Sequence, residues 1–131
     1  MLATLGPAPS GDQFAIEVKF DGQRGLLTVD PRVRVTSRNG ADITETFPEL
    51  SAVAAAVGGR RMILDGEIVA VDEHGRPSFR RLQRRWPQQR RPSGQLVREV
   101  PTRYLAFDVV NIDGEDITHW PYRERRELMD T

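Results

Sequence analysis

The chain has 131 residues, with nineteen Lys plus Arg against nineteen Asp plus Glu, and no cysteine. That length fits one domain or part of a larger one, and the balanced charge names no partner by itself. The absence of cysteine excludes disulfides and cysteine-based zinc sites and accords with a reducing, cytoplasmic setting. The first residues show no basic stretch followed by an apolar run, and no apolar run approaches membrane-spanning length, so no membrane association is expected.

Residues 6 to 11, "GPAPSG", read as an irregular lead-in. From Phe14 the pattern alternates. Phe14, Ile16, Val18 and Phe20 share one face and Glu17, Lys19 and Asp21 the other, the period of a half-buried strand that Gly22 breaks. "RGLLTV" and "VRVTS" predict a hairpin around Asp30, Pro31 and Arg32, and Asn39-Gly40 a second tight turn. Pro48 suits the first turn of a helix through "ELSAVAAAV", ended by Gly58 and Gly59. "MILDGEIVAVD" reads as a strand, apolar on both sides and therefore central.

Glu73, His74 and Gly75 turn the chain. Ser78 then caps a short helix with Phe79, Leu82 and Trp86 on its apolar side. Residues 87 to 102, with Pro87, Pro92, Gly94 and Pro101, read as a loop. "RYLAFDVVNI" is another strand and Asp113-Gly114 a turn. Pro121 opens a last helix, "YRERRELMD", which meets no terminating Gly or Pro, so the sequence reads as cut inside it.

Lys19 is the only lysine beside eighteen arginines. Strand geometry sets it on one face with Glu17 and Asp21, and Arg24 follows just past Gly22. A lysine nucleophile needs a free lone pair, which flanking carboxylates oppose unless a metal ion or Arg24 offsets them. From pattern alone the cluster is either an exposed ion-paired face or a catalytic one. Asp65 and Glu67 share a face of an otherwise apolar strand, which buried carboxylates tolerate only when paired or metal-bound; a solvated strand end is the other reading. Phe107 alone reads as core. Asp113, Glu115 and Asp116 read as a solvated turn, and His74 and His119 are isolated. Residues 76 to 103 carry nine Arg against the single Glu99, a composition suited either to a phosphate backbone or to a solvated helix face.

Taken together and in this order, these stretches resemble one family. "EVKFDGQR" resembles the K-x-D-G-x-R motif of covalent nucleotidyltransferases, a group that includes ATP-dependent DNA ligases, RNA ligases and mRNA capping enzymes. "TSRNG", "LDGEIVA" and "YLAFDVVNIDGED" resemble the motifs that follow it, and "SFRRLQRR" is similar to a ligase F-x-x-L-Q-x-R stretch. The likeness is greatest to the ligase domain of bacterial end-joining DNA ligases and runs from residue 2 to the end.

The resemblance implies an α+β fold of the DNA ligase and capping-enzyme type, with antiparallel sheets and flanking helices. Residues 1–131 would be the N-terminal part of an adenylation domain, without the oligonucleotide-binding-fold domain. It implies ATP and Mg2+ (or Mn2+) as cofactors and nicked double-stranded DNA as partner, in DNA repair and recombination. End-joining repair proteins and a monomeric state are further expectations.

By the same resemblance, Lys19 is the adenylated nucleophile and Asp21 supports the chemistry around the ribose and the nick. Glu17 contacts the adenine amino group and Arg24 the ribose or phosphate. Arg38 reaches the nucleotide or a DNA phosphate, and Glu67 binds the ribose or the catalytic metal. Phe107 stacks on adenine, which reverses its reading as core. Two later family motifs, one acidic and one lysine-rich, have no counterpart, so weak sealing or none is expected of these residues alone. Rival readings are an RNA ligase or capping-type enzyme, a truncated non-catalytic remnant, and a nucleic-acid-binding module built on the arginine stretch.

Overall fold

The structure is a computed structural model that describes residues 6–85 and 91–129. Among these, five strands form one antiparallel sheet in the order β2-β1-β3-β4-β5. The strands are β1 (Gln23–Asp30), β2 (Arg32–Ser37), β3 (Met62–Ala70), β4 (Thr102–Ile112) and β5 (Glu115–Asp116). Four short helices flank it: α1 (Val53–Ala56), α2 (Phe79–Leu82), α3 (Gly94–Glu99) and α4 (Tyr122–Glu127). The expected hairpin closes with Asp30 opposite Arg32, and β3 is central, between β1 and β4.

Period-two alternation decides the two faces of the sheet. Leu27 and Val29 of β1, Val35 of β2, Leu64 and Ile68 of β3, and Val109 and Ile112 of β4 point to one side and are buried. Phe47, Leu50, Leu82, Val100 and Ile117 cover them. Arg24 and Leu26 of β1 and Asp65 and Glu67 of β3 therefore lie on the opposite face. They are cross-strand neighbours there, Arg24 against Glu67 and Leu26 against Asp65.

Three expectations are corrected. Residues 14 to 21 do not form a half-buried strand. They have no regular secondary structure and no ladder partner among the described residues, and Ile16 and Val18 are 94% and 73% exposed. The register of β1 against β3 runs out at Gln23 opposite Ile68, so the chain leaves the sheet there. The expected helix after Pro48 begins as a 3-10 turn, Pro48–Ala52, and becomes α1 only at Val53; Gly58 and Gly59 end it with φ of 62° and 79°. The expected loop holds α3, whose N-terminus is capped by Ser93 Oγ accepting from Leu96 N at 3.2 Å. Ser78 caps α2 as expected, and Trp86 lies outside the described residues.

β4 carries two bulges against β3. Asp65 pairs with Asp108 but Gly66 with Ala106, which leaves Phe107 as an extra residue; Val110 is skipped in the same way. Leu105 opposes Glu67 and Asp108 opposes Asp65, so both share the open face although three residues apart. Tyr104 crosses beneath this face, its hydroxyl donating between the carbonyls of Gly25 and Leu64, 2.9 Å from each. A Cβ on Gly66 would lie 2.6 Å from the Tyr104 ring, so the crossing requires glycine there.

The arginine stretch is not uniformly solvated. Arg84 pairs with Glu99 and Arg81 with Glu73 at the surface. Arg85 is fully buried. Its Nη1 donates to Glu49 Oε1 and the Val100 carbonyl, each at 2.8 Å, and its Nη2 to the Thr46 carbonyl at 2.6 Å and Glu49 Oε2 at 3.0 Å. Thr102 Oγ1 donates to Glu49 Oε1 at 2.5 Å, and the Phe47 ring lies 5.5 Å from the guanidinium. The pair thus ties the end of α2, the 3-10 turn and the start of β4 together.

Burial pushes the Glu49 carboxyl up, but the hydrogen bonds from Arg85 and Thr102 outweigh it and hold the group below its ordinary 4.5. The folded state therefore binds fewer protons there than the unfolded state. The pair's contribution is complete above pH 4.5 and is lost as pH falls through the lower folded value. Glu49→Ala strands a buried guanidinium and is expected to cost about 3–5 kcal/mol in urea unfolding at pH 7. The difference between Glu49→Ala and the native chain is expected to shrink as the measurement is repeated at falling acid pH.

Candidate active site

The site begins where β1 leaves the sheet. Gly22 donates its N–H to Glu67 Oε1 at 3.1 Å, which replaces the ladder bond the strand no longer makes. A Cβ on Gly22 would lie 2.2 Å from the Ile68 carbonyl oxygen, so only glycine brings the chain this close to β3. The lysine-bearing segment hangs from this anchor, three residues upstream.

Arg24 stands next on the open face. Its Nε donates to Asp65 Oδ1 at 3.0 Å and its Nη2 to Asp65 Oδ2 at 2.5 Å, a two-pronged fit of planar fork to carboxylate. The guanidinium also lies over the Phe107 ring, 5.5 Å from its centre. The Asp65 hydrogen bonds hold Arg24 above its ordinary value, so it stays a cation. Asp65 is thereby a member of the site by contact, and its pairing meets the expectation that a carboxylate on this apolar strand is paired when buried.

Glu67 lies half-buried between Gly22 and Arg24. Burial pushes its carboxyl above the ordinary carboxylate value, while the Gly22 N–H, Arg24 and Lys19 pull it the other way. Asp21 adds a like charge that reaches Glu67 as well. Lys19 and Asp21 are both exposed, and their charges act on Glu67 from the unpaired segment. Arg38 sits exposed in the turn after β2, where Gly40 N donates to the Ser37 carbonyl at 2.9 Å. A cavity of about 1060 Å³ is lined by Gly22, Arg24, Arg38 and Glu67, with Ser37 and Asn39 of that turn.

Two expected site residues lie at the edge of this arrangement. Phe107 reaches it through the bulge in β4, over Arg24. Glu17 is turned toward α4: its Oε1 accepts from the Tyr122 hydroxyl and lies 3.5 Å from Arg126 Nη1. The residues that sequence reasoning missed are the supports, namely Tyr104, Asp108, Tyr122, Arg125 and Arg126. Among the described residues no three His, Cys, Asp or Glu side chains converge on a metal position, and no helix is long and apolar enough to cross a membrane.

The family described as the ATP dependent DNA ligase domain matches residues 5–131. The multifunctional non-homologous end joining DNA repair protein LigD of Mycobacterium tuberculosis is 36% identical over the whole chain, and the chain spans 16% of that protein's length. LigD of Pseudomonas aeruginosa is 37% identical over 98% of the chain, which spans 14% of that protein. The crystal structure of the ligase domain from M. tuberculosis LigD superimposes with a TM-score of 0.71 at 33% identity, covering 87% of this chain and 35% of that one. A mycobacterial DNA ligase D complexed with ATP and MES matches equally, with a TM-score of 0.71 at 32% identity and the same coverage of both chains. The chain belongs to the ATP-dependent DNA ligase domain family, and its α+β architecture, an antiparallel sheet with flanking helices, matches the LigD ligase domain.

Proposed function

We propose that residues 1–131 are the N-terminal part of the adenylation domain of an ATP-dependent DNA ligase acting in end-joining repair and recombination. One observation carries the reading. Gly22, Arg24, Arg38 and Glu67, drawn from three separate motifs, line one cavity beside the segment that bears the only lysine.

In this reading Lys19 Nζ attacks the α-phosphorus of ATP. A nitrogen–phosphorus bond forms, the bond to the bridging oxygen breaks, pyrophosphate leaves with the electron pair, and the amine gives up a proton. Arginine cannot take this part, because its guanidinium stays protonated. A chain that uses arginine everywhere else keeps lysine at the one position where the amine must react.

The other residues bind and orient. Arg24, held by Asp65 and lying over the Phe107 ring, meets the ribose or the phosphate. Arg38 meets the nucleotide or a DNA phosphate, Glu17 the adenine amino group, and Phe107 the adenine face. Asp21 supports the ribose and the nick. Mg2+ typically takes one or two carboxylates plus substrate phosphate oxygens, and the cavity lining offers two, Glu67 and Asp42, beside Arg24 and Arg38, which fits it. Such an ion supplies charge neutralisation at the phosphates.

AMP then passes to the 5′-phosphate of a nicked duplex, with exposed Arg80, Arg98 and Arg103 available to its backbone. The protein works as a cytoplasmic monomer alongside end-joining repair proteins.

With α-labelled ATP and Mg2+, the label is expected on Lys19 after denaturation and peptide mapping, and Lys19→Arg abolishes it. A label on another residue, or one that survives in Lys19→Arg, overturns the assignment. Phe107→Ala is expected to weaken ATP binding by about 1–3 kcal/mol, the range for base stacking on an aromatic ring. A core role would instead cost roughly 3–5 kcal/mol of stability with affinity unchanged. Denaturant unfolding and nucleotide titration of the same variant separate the two.

A further inference from the structure

Helix α4 grips both residues assigned to the adenine base. The Tyr122 hydroxyl donates a short hydrogen bond to Glu17 Oε1, and Arg126 Nη1 stands 3.5 Å from the same oxygen. That Nη1 also donates to the Phe107 carbonyl at 3.3 Å. One guanidinium nitrogen thus bridges the segment that carries Glu17 and the bulge that carries Phe107.

The helix is anchored independently of these contacts. Arg125 Nε and Nη2 donate to the two oxygens of Asp108 at 2.8 and 2.9 Å. Its Nη1 donates to the Trp120 carbonyl at 2.5 Å, and its guanidinium lies 5.9 Å from the centre of the Tyr122 ring. Glu17 has no comparable support. Its segment has no ladder partner among the described residues, and Ile16 and Val18 beside it face solvent. A carboxylate on such a segment selects a ligand only if something fixes its position. Both α4 contacts fall on Oε1, and Oε2 accepts no hydrogen bond from the described residues.

We propose that Tyr122 and Arg126 are positioning residues for base selection. They hold the Glu17 carboxylate at a set offset from Phe107, with Oε2 presented to the base. A purine with an amino group at that edge donates to the carboxylate and is accepted. A purine with a carbonyl oxygen there sets acceptor against acceptor and is refused. The inference rests on the base-reading roles proposed for Glu17 and Phe107. In this role Tyr122 and Arg126 act through Glu17 and Phe107, so their loss changes discrimination and leaves the covalent step in place.

The test measures Lys19 labelling with ATP and with GTP in the native chain, Tyr122→Phe, Arg126→Ala, Arg126→Lys, the Tyr122→Phe/Arg126→Ala double variant and Glu17→Gln. Each is checked for an unchanged urea midpoint. Tyr122→Phe keeps the ring and loses only the donor; Arg126→Lys keeps the charge. The double variant is expected to lose about tenfold of the ATP-over-GTP preference through a raised KM for ATP with kcat largely kept. Arg126→Lys retains most of that preference. An unchanged preference in the double variant, or an equal loss with both nucleotides, overturns the proposal. Loss of preference in Glu17→Gln without loss in the α4 variants overturns the positioning role alone. A native chain without preference or label, or an unchanged preference in Glu17→Gln, overturns the base reading and the positioning role with it.

Discussion

One extra residue in β4 organises the open face of the sheet. Between Asp65–Asp108 and Gly66–Ala106 the ladder skips Phe107, and the parity of the strand changes there. Without the bulge, Asp108 would fall on the opposite side from Leu105. With it, Asp108 joins Asp65 and Glu67 and becomes the anchor for Arg125. The same insertion brings the Phe107 ring over Arg24. The packing of Arg24, the docking of α4 and the tether on Glu17 all descend from that one break in register. Bulges near functional sites commonly re-aim side chains in this way.

The chain uses its arginines for three separate physical tasks. Arg85 is structural, a buried charge neutralised by Glu49 and enclosed by carbonyls. Arg24 and Arg125 are orienting groups, each holding a carboxylate with both prongs of the fork. Arg80, Arg98 and Arg103 remain at the surface, where charge acts at long range and is screened by salt. One residue type serves all three because the guanidinium is planar, always charged and rich in donors.

Much of this was legible in the sequence. Apolar, β-branched runs bounded by turn residues marked β1 to β4, the run apolar on both sides marked β3 as central, and Ser78 marked the start of α2. Gly22 and Gly66 sit where a side chain would strike backbone or ring, so those motif glycines are explained by sterics. The pattern over Phe14 to Asp21 misled because alternation states which residues share a face, not whether a neighbouring strand exists. The bulge was illegible, since inserting one residue changes no composition and no propensity. α3 was hidden by flanking prolines that suggested only loop, although Ser93 was a readable cap. Arg85 carried a usable signal that was overlooked: it follows Leu82 by three residues and so continues the apolar side of α2. The supports on α4 could not be read, because what Tyr122 and Arg126 touch is set by the docking of Arg125 on Asp108, a contact across seventeen residues of chain.

Lys19 is exposed, and no other side chain among these 131 residues carries an ε-ammonium. Isotope-labelled lysine supplied during expression therefore enters at a single position, the proposed reaction centre. A spectrum filtered for that isotope contains one side-chain signal, with no assignment to be made. The composition that singles out the nucleophile also makes it a built-in reporter, able to register the approach of nucleotide, metal or duplex without any foreign probe.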